Sequence, residues 1–199
     1  MDKCIVIDFE TTGLSPGQDR AIEVAAVLVH NGKICDRFQT LMNPGRRVSP
    51  FIASYTGITN QMLKDAPSSS AAIKDLLSFI GSTPLVAHNA SFDKRFLDYE
   101  IAQTGKSVEI QMACSLLVAR RIYDSAPNFK LQTLVELHQL TVSGKFHRAL
   151  ADAEMTAGLW IKMREDIQEK YQMSDVTFDF MYTFGKTPKS KLHKILPLN

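Results

Sequence analysis

Cys4-Ile5-Val6-Ile7-Asp8-Phe9-Glu10-Thr11-Thr12-Gly13 is the stretch on which the reading of this chain turns. Its first half is apolar and β-branched, so residues 3–9 read as a buried strand. Successive side chains of a strand point to opposite faces, which places Asp8 and Glu10 side by side on one face. Two adjacent carboxylates at the end of a buried strand repel one another and lose hydration. Divalent cations relieve both costs, and hard oxygen ligands suit Mg²⁺ or Mn²⁺. The pair therefore reads as half of a metal site. The alternative is an exposed strand end carrying solvated acids, and these residues alone leave both open.

Outward from this strand the pattern is that of an α/β domain. Residues 21–30 read as a second buried strand. Asn31-Gly32 is a hairpin turn signal, and residues 33–42 form a third strand antiparallel to the second. Short helices follow around 50–55 and 59–64, then a helix over 68–80 with Ser68, Ser69 and Ser70 as candidate N-caps. A short strand over 84–88 leads into a helix over 91–104. Residues 108–112 read as a fifth strand, followed by helices over 113–123, 130–139 and 148–170. Three strands and then alternating helices and strands imply a mixed sheet with helices on both faces.

Composition sets broad limits. The 199 residues, 45% hydrophobic and 22% charged, suit a single soluble domain of ordinary size. No apolar run approaches the roughly 18 residues that span a bilayer, so no membrane association is expected. Met1-Asp2-Lys3 leads straight into the first strand, so a signal peptide is not expected either. Cys4, Cys35 and Cys114 are widely spaced without a metal-ligand pattern, as befits reduced thiols in the cytoplasm. Net charge is only +2, and it resides in the tail: Lys186, Lys189, Lys191 and Lys194 face Asp175 and Asp179, leaving the first 173 residues neutral. The organisation is read as a domain over 1–173 and an aromatic, basic tail over 174–199. Within the tail Phe178, Phe180, Tyr182 and Phe184 alternate, which predicts a strand with one aromatic face. Packing of that face on the domain is favoured over pairing with another subunit or contact with a substrate.

Two further motifs complete the chemistry. Asp93, in Ala87-His88-Asn89-Ala90-Ser91-Phe92-Asp93, falls in the first turn of a helix, where an acid is also favoured simply by the helix dipole. In His147-Arg148-Ala149-Leu150-Ala151-Asp152 an interval of five residues is about 140° of helical arc, so the histidine and the acid do not share one helical face. They converge only if His147 precedes the helix and Asp152 points inward from its second turn. Ala151, Ala153 and Ala157 would let that helix lie close to the sheet. Alone, such a histidine is more often a surface or helix-start residue.

Together, Asp8–Glu10, Asp93 and His147–Asp152 resemble the motifs of the DEDDh (DnaQ-like) 3′→5′ exonucleases. This group includes the proofreading subunit of bacterial replicative DNA polymerase, ribonuclease T, oligoribonuclease and exonuclease X. Ile-Asp-Phe-Glu-Thr-Thr-Gly-Leu at 7–14, His-Asn-Ala-Ser-Phe-Asp at 88–93 and His-Arg-Ala-Leu-Ala-Asp at 147–152 carry the likeness. Thr56-Gly57-Ile58-Thr59 adds to it, and Tyr182-Thr-Phe-Gly-Lys186 is similar to a short stretch near the end of exonuclease X. The resemblance covers residues 3–165. It implies a ribonuclease-H-like fold with a five-stranded mixed sheet.

It further implies phosphodiester hydrolysis with two Mg²⁺ or Mn²⁺ ions roughly 4 Å apart. Asp8 would bridge the ions, and Glu10 and Asp152 would complete the one that binds the attacking water. Asp93 would support the other through water, and His147 would be the general base. Thr11, Leu14, Asn89 and Phe92 would hold the terminal nucleotide. The substrate expected is the 3′ end of single-stranded or frayed DNA, in repair or proofreading. A polymerase is a conceivable partner, as is a second copy in a homodimer. An exoribonuclease, a polymerase-bound subunit inactive alone and a binding module without catalysis are the competing readings. All four acids and the histidine being in place speaks against the last.

Overall fold

The computed structural model describes residues 3–141 and 147–197. Five strands form one sheet: β1 (Lys3–Thr11), β2 (Ala21–His30), β3 (Lys33–Leu41), β4 (Leu85–Ala87) and β5 (Met112–Cys114). Their order is β3-β2-β1-β4-β5. β1, β2 and β3 are antiparallel, while β4 and β5 run parallel to β1 and to each other. The β2–β3 hairpin closes at Asn31 and Gly32, both with positive φ (51° and 72°), as a two-residue type I′ turn requires.

Helices α1 (Pro50–Thr56), α2 (Asn60–Lys64), α3 (Ser69–Ile80), α4 (Ser91–Ala102), α5 (Ser115–Ile122), α6 (Leu131–Leu137), α7 (Ala149–Lys170) and α8 (Phe178–Lys186) fill the connections. Of the three serines before α3, Ser68 is the cap, accepting from the Ala71 N–H. The parity of β1 divides the core. Ile5, Ile7 and Phe9 face α3 and α4, packing with Ile73, Leu76, Leu97 and Ile101. Cys4 and Val6 face the layer of α5, α7 and α8, with Trp160, Met163, Met181 and Phe184. Asp8 and Glu10 continue this second face, and so point toward α7. Ala153 and Ala157 are fully buried against the sheet as expected, joined by Ala149, whereas Ala151 belongs to a separate cluster with Val135 and Met155.

Two expectations need correction. The fifth strand lies over Met112–Cys114 rather than 108–112, and the following helix starts at Ser115. The alternating stretch Val108–Met112 suits a strand, but β4 offers only three residues to pair with: Leu85↔Met112, Val86↔Ala113 and Ala87↔Cys114. The partner, not the local pattern, sets the register. The aromatic tail segment is a helix, α8, rather than a strand. Thr177 caps it by accepting from the Phe180 N–H. The buried positions are Phe178, Met181, Phe184 and Gly185, a helical spacing that the every-second aromatics conceal. A Cβ on Gly185 would lie 3.1 Å from Val118, which shows how closely α8 approaches α5. The face packs on the main core, as favoured from the sequence, and a 3-10 turn over Lys189–Lys194 adds Leu192 to that core.

Candidate active site

The C-terminal end of β1 gathers the acids. One oxygen from each of Asp8, Glu10 and Asp152 lies within 4.8 Å of the others. Asp152 is in the first turn of α7, one turn earlier than expected, with His147 in the segment just before. The His147 backbone N–H donates to Asp152 Oδ2 at 3.1 Å. Asp93 arrives from the first turn of α4, fully buried, and accepts from the Phe9 N–H at 3.2 Å. Three of the four expected acids, Asp8, Glu10 and Asp152, thus meet at one place, and Asp93 stands outside that cluster, held next to Asp8 by the Phe9 N–H.

Protonation reflects this crowding. Loss of hydration raises the Asp8 carboxyl well above the usual range, helped by the charges of Asp93, Asp152, Glu10 and Glu23. Burial pushes Glu10 up to about 8, with Asp152 and Glu23 adding to the rise and Arg148 opposing it. Burial raises Asp93 to about 8 although its own and the Phe9 backbone N–H groups favour the charged form. Asp152 rises to about 6, mainly by burial, with the His147 N–H and ring holding it back.

A divalent cation fits these residues. The donor set is three converging carboxylates, and the buried Asp152 Oδ1 has no hydrogen-bond partner among the described residues. A buried carboxylate oxygen left without a donor is costly unless a cation completes it. Hard, all-oxygen donors match Mg²⁺ or Mn²⁺ and not a soft metal.

The other expected site residues stand around this cluster rather than in it. Thr11 is buried and its hydroxyl donates to the Gly13 carbonyl at 2.6 Å. Leu14 is 74% exposed at the tip of the loop that follows β1, so it is not a core residue. Asp19 closes that loop by accepting from the Thr12 hydroxyl and the Ser15 N–H. A Cβ on Gly13 would be 2.4 Å from the Asp19 carboxylate, so only glycine permits this closure. Asn89 is exposed in the β4–α4 turn with φ 65°, and its carbonyl accepts from the Phe92 N–H. Phe92 is half-buried against Phe96. His88, of the same motif, links Ser115 Oγ to the Phe129 carbonyl, each at 2.9 Å.

Two neighbours of the site were not anticipated. Glu23 lies opposite Glu10 across the β1–β2 ladder and is 0% exposed. It accepts from Arg148 Nη2 and Nε at 2.7 and 3.2 Å, from the Ala149 N–H at 3.0 Å, and from Gln39 at 2.8 Å. It thus ties the start of α7 to the sheet and aligns His147 and Asp152. The signal was available: a lone acid inside the apolar run Ala21–Val29 demands a buried cation. Tyr55 of α1 is the second, with its ring stacked on that of His147.

A concavity of about 880 Å³ lies at the other end of β1, between Lys3, Pro84 and Thr177. Among the described residues no helix is long and apolar enough to cross a membrane.

With fold and site in view, the chain can be set beside known proteins. A family model described as an exonuclease, of the RNase T type, matches residues 5–160. PolC-type DNA polymerase III of Caldanaerobacter subterraneus is 41% identical over 165 residues, and that of Bacillus subtilis 42% over 171. Each alignment covers 83% of this chain but only 12% of the polymerase, so the chain spans about an eighth of these relatives. Exonuclease X, solved in complex with 5′-overhanging duplex DNA, superposes with a TM-score of 0.72 at 30% identity, covering 92% of this chain and 99% of that one. The nuclease domain of 3′hExo, a DEDDh family member bound to rAMP, shares the fold (TM-score 0.71, 21% identity, 83% of this chain and 92% of that one). The mixed sheet with acids at the end of its central strand is that of a ribonuclease-H-like nuclease. Within that class the chain belongs to the DEDDh (DnaQ-like) exonuclease family.

Proposed function

We propose that this chain hydrolyses DNA from its 3′ end, one nucleoside monophosphate at a time, with two Mg²⁺ or Mn²⁺ ions at Asp8, Glu10, Asp93 and Asp152. The observation that carries the reading is the convergence of Asp8, Glu10 and Asp152 within 4.8 Å, with Asp152 Oδ1 left unpartnered among the described residues. Ions bound there would lower the pKa of a water molecule and offset the charge that builds on the phosphate. His147 takes the proton of the attacking water. The water oxygen bonds to phosphorus, the bond from phosphorus to the 3′-oxygen of the penultimate nucleotide breaks, and that oxygen takes a proton from solvent; the terminal nucleoside leaves as its 5′-monophosphate and the shortened strand ends in a 3′-hydroxyl. Leu14, exposed beside the site, wedges against the terminal base, with Thr11, Asn89 and Phe92 lining the same pocket.

DNA is preferred to RNA because the two polymerase relatives named above are DNA polymerases by name and the exonuclease X neighbour holds DNA. Work in proofreading or repair follows from the same likeness, as does a polymerase partner. Three free thiols suit a reducing cytoplasm. The test is digestion of matched 5′-labelled single-stranded DNA and RNA by the isolated chain with Mg²⁺ or Mn²⁺. Faster shortening of DNA is expected. Equal or faster loss of RNA would move the assignment to RNA trimming, and no loss of either would overturn a free-standing nuclease.

A further inference from the structure

Tyr55 belongs to none of the acid motifs, yet its ring meets the imidazole of His147, with centroids 4.0 Å apart and planes 30° apart. It is also stacked with Phe51, one helical turn away, at 5.9 Å and 12°. The mount beneath these rings is firm. Ser49 caps α1, and Thr56 donates to the Ile52 carbonyl while accepting from the Ile58 N–H. Asn60 bonds both the N–H and the carbonyl of Val48. Ile22, Val48, Ile58 and Leu63 form a small core under the pair.

His147 is held quite differently. Its backbone is left-handed, with φ 64°, a strained conformation for a non-glycine residue. Its N–H is committed to Asp152, so the backbone is fixed while the ring still needs a support. An aromatic face at 4.0 Å supplies one. Proximity to the acids is independent of the stack: the charges of Glu10 and Asp152, after burial, raise the Tyr55 hydroxyl pKa.

We infer that Tyr55 is a positioning residue for His147, its ring holding the imidazole at the acid cluster in the orientation needed to take a proton from water. The inference rests on His147 being the general base, and its test separates the two. Tyr55 is 51% exposed, so a nucleobase could reach the same ring, and direct stacking on substrate is the rival role.

The experiment compares kcat and KM on single-stranded DNA for wild type, Tyr55→Leu, Tyr55→Phe, His147→Ala and the double variant Tyr55→Leu/His147→Ala. It adds NMR of the His147 ring protons in metal-free protein. Tyr55→Leu should lower kcat about tenfold through misplacement of the base, with KM little changed. Tyr55→Phe, which keeps the ring, should restore wild-type kcat. In the His147→Ala background the Tyr55→Leu change should cost nothing further, and the His147 ring signals should shift in Tyr55→Leu but not in Tyr55→Phe. A raised KM with kcat preserved, or an equal loss in both backgrounds, would overturn positioning in favour of contact with the nucleotide. Unmoved His147 signals in Tyr55→Leu would overturn the stack itself. Near-normal turnover of His147→Ala alone would instead remove the base reading on which the inference stands.

Discussion

At the scale of single residues the proposed site would separate holding metal from moving protons. Asp8, Glu10 and Asp152 bring carboxylate oxygens within 4.8 Å of one another, Asp93 accepts from the Phe9 N–H beside them, and His147 touches Asp152 through its backbone N–H. His147→Ala should therefore leave Mg²⁺ or Mn²⁺ binding, followed by calorimetry, nearly unchanged while lowering kcat by roughly 10²–10⁴-fold. Lost metal binding, or turnover near wild type, would contradict the assignment. Asp8 and Glu10 announce themselves by chemistry, as an acid pair ending an apolar run, whereas Asp93 and His147–Asp152 become legible only through the likeness of their motifs to the family. Neither signal announces Tyr55, whose value arises only when residue 55 and residue 147 meet in space. Glu23 lies between the two cases: its unsuitability for a buried strand is readable, but its partner Arg148 is 125 positions away.

At the scale of elements the errors have a shared origin. β1 and β2 carry their own signal, continuous apolar runs with a marked turn: β2 has the expected bounds, and β1 runs two residues further, to Thr11. β5 has a plausible strand pattern two to four residues too early, because its register is dictated by the three residues of β4. α8 has a plausible strand pattern throughout, yet Thr177 starts a helix there and the buried face of α8 meets α5 and β5. Local periodicity yields where tertiary burial disagrees. The same burial fixes a magnitude: Phe184 is fully enclosed in the main core, so Phe184→Ala should cost about 3–5 kcal/mol in denaturant unfolding. A loss below 1 kcal/mol would mean that α8 is dispensable to the domain.

At the scale of the whole molecule the acid cluster is a standing cost of the metal-free fold. Carboxylates raised to about 8 at Glu10 and Asp93 keep protons in the folded state that the unfolded chain releases near pH 4. Between those values the folded state binds more protons, so stability falls as pH rises. Their contribution is fully present below about pH 4 and lost as pH climbs through about 8, while cations that bind only the folded chain restore it. The central claim, that these acids are a cation site kept at the expense of stability, is tested most directly by thermal unfolding of metal-free protein at pH 8. Wild type and Asp8→Asn are compared with and without Mg²⁺ or Mn²⁺. Wild type should gain Tm on adding either ion. Without metal Asp8→Asn should melt higher than wild type, by roughly 2–8 °C for a gain of about 1–2 kcal/mol in a chain of this size, and should lose most of the metal response. An Asp8→Asn protein that melts lower without metal, or responds to the ions as wild type does, would contradict it.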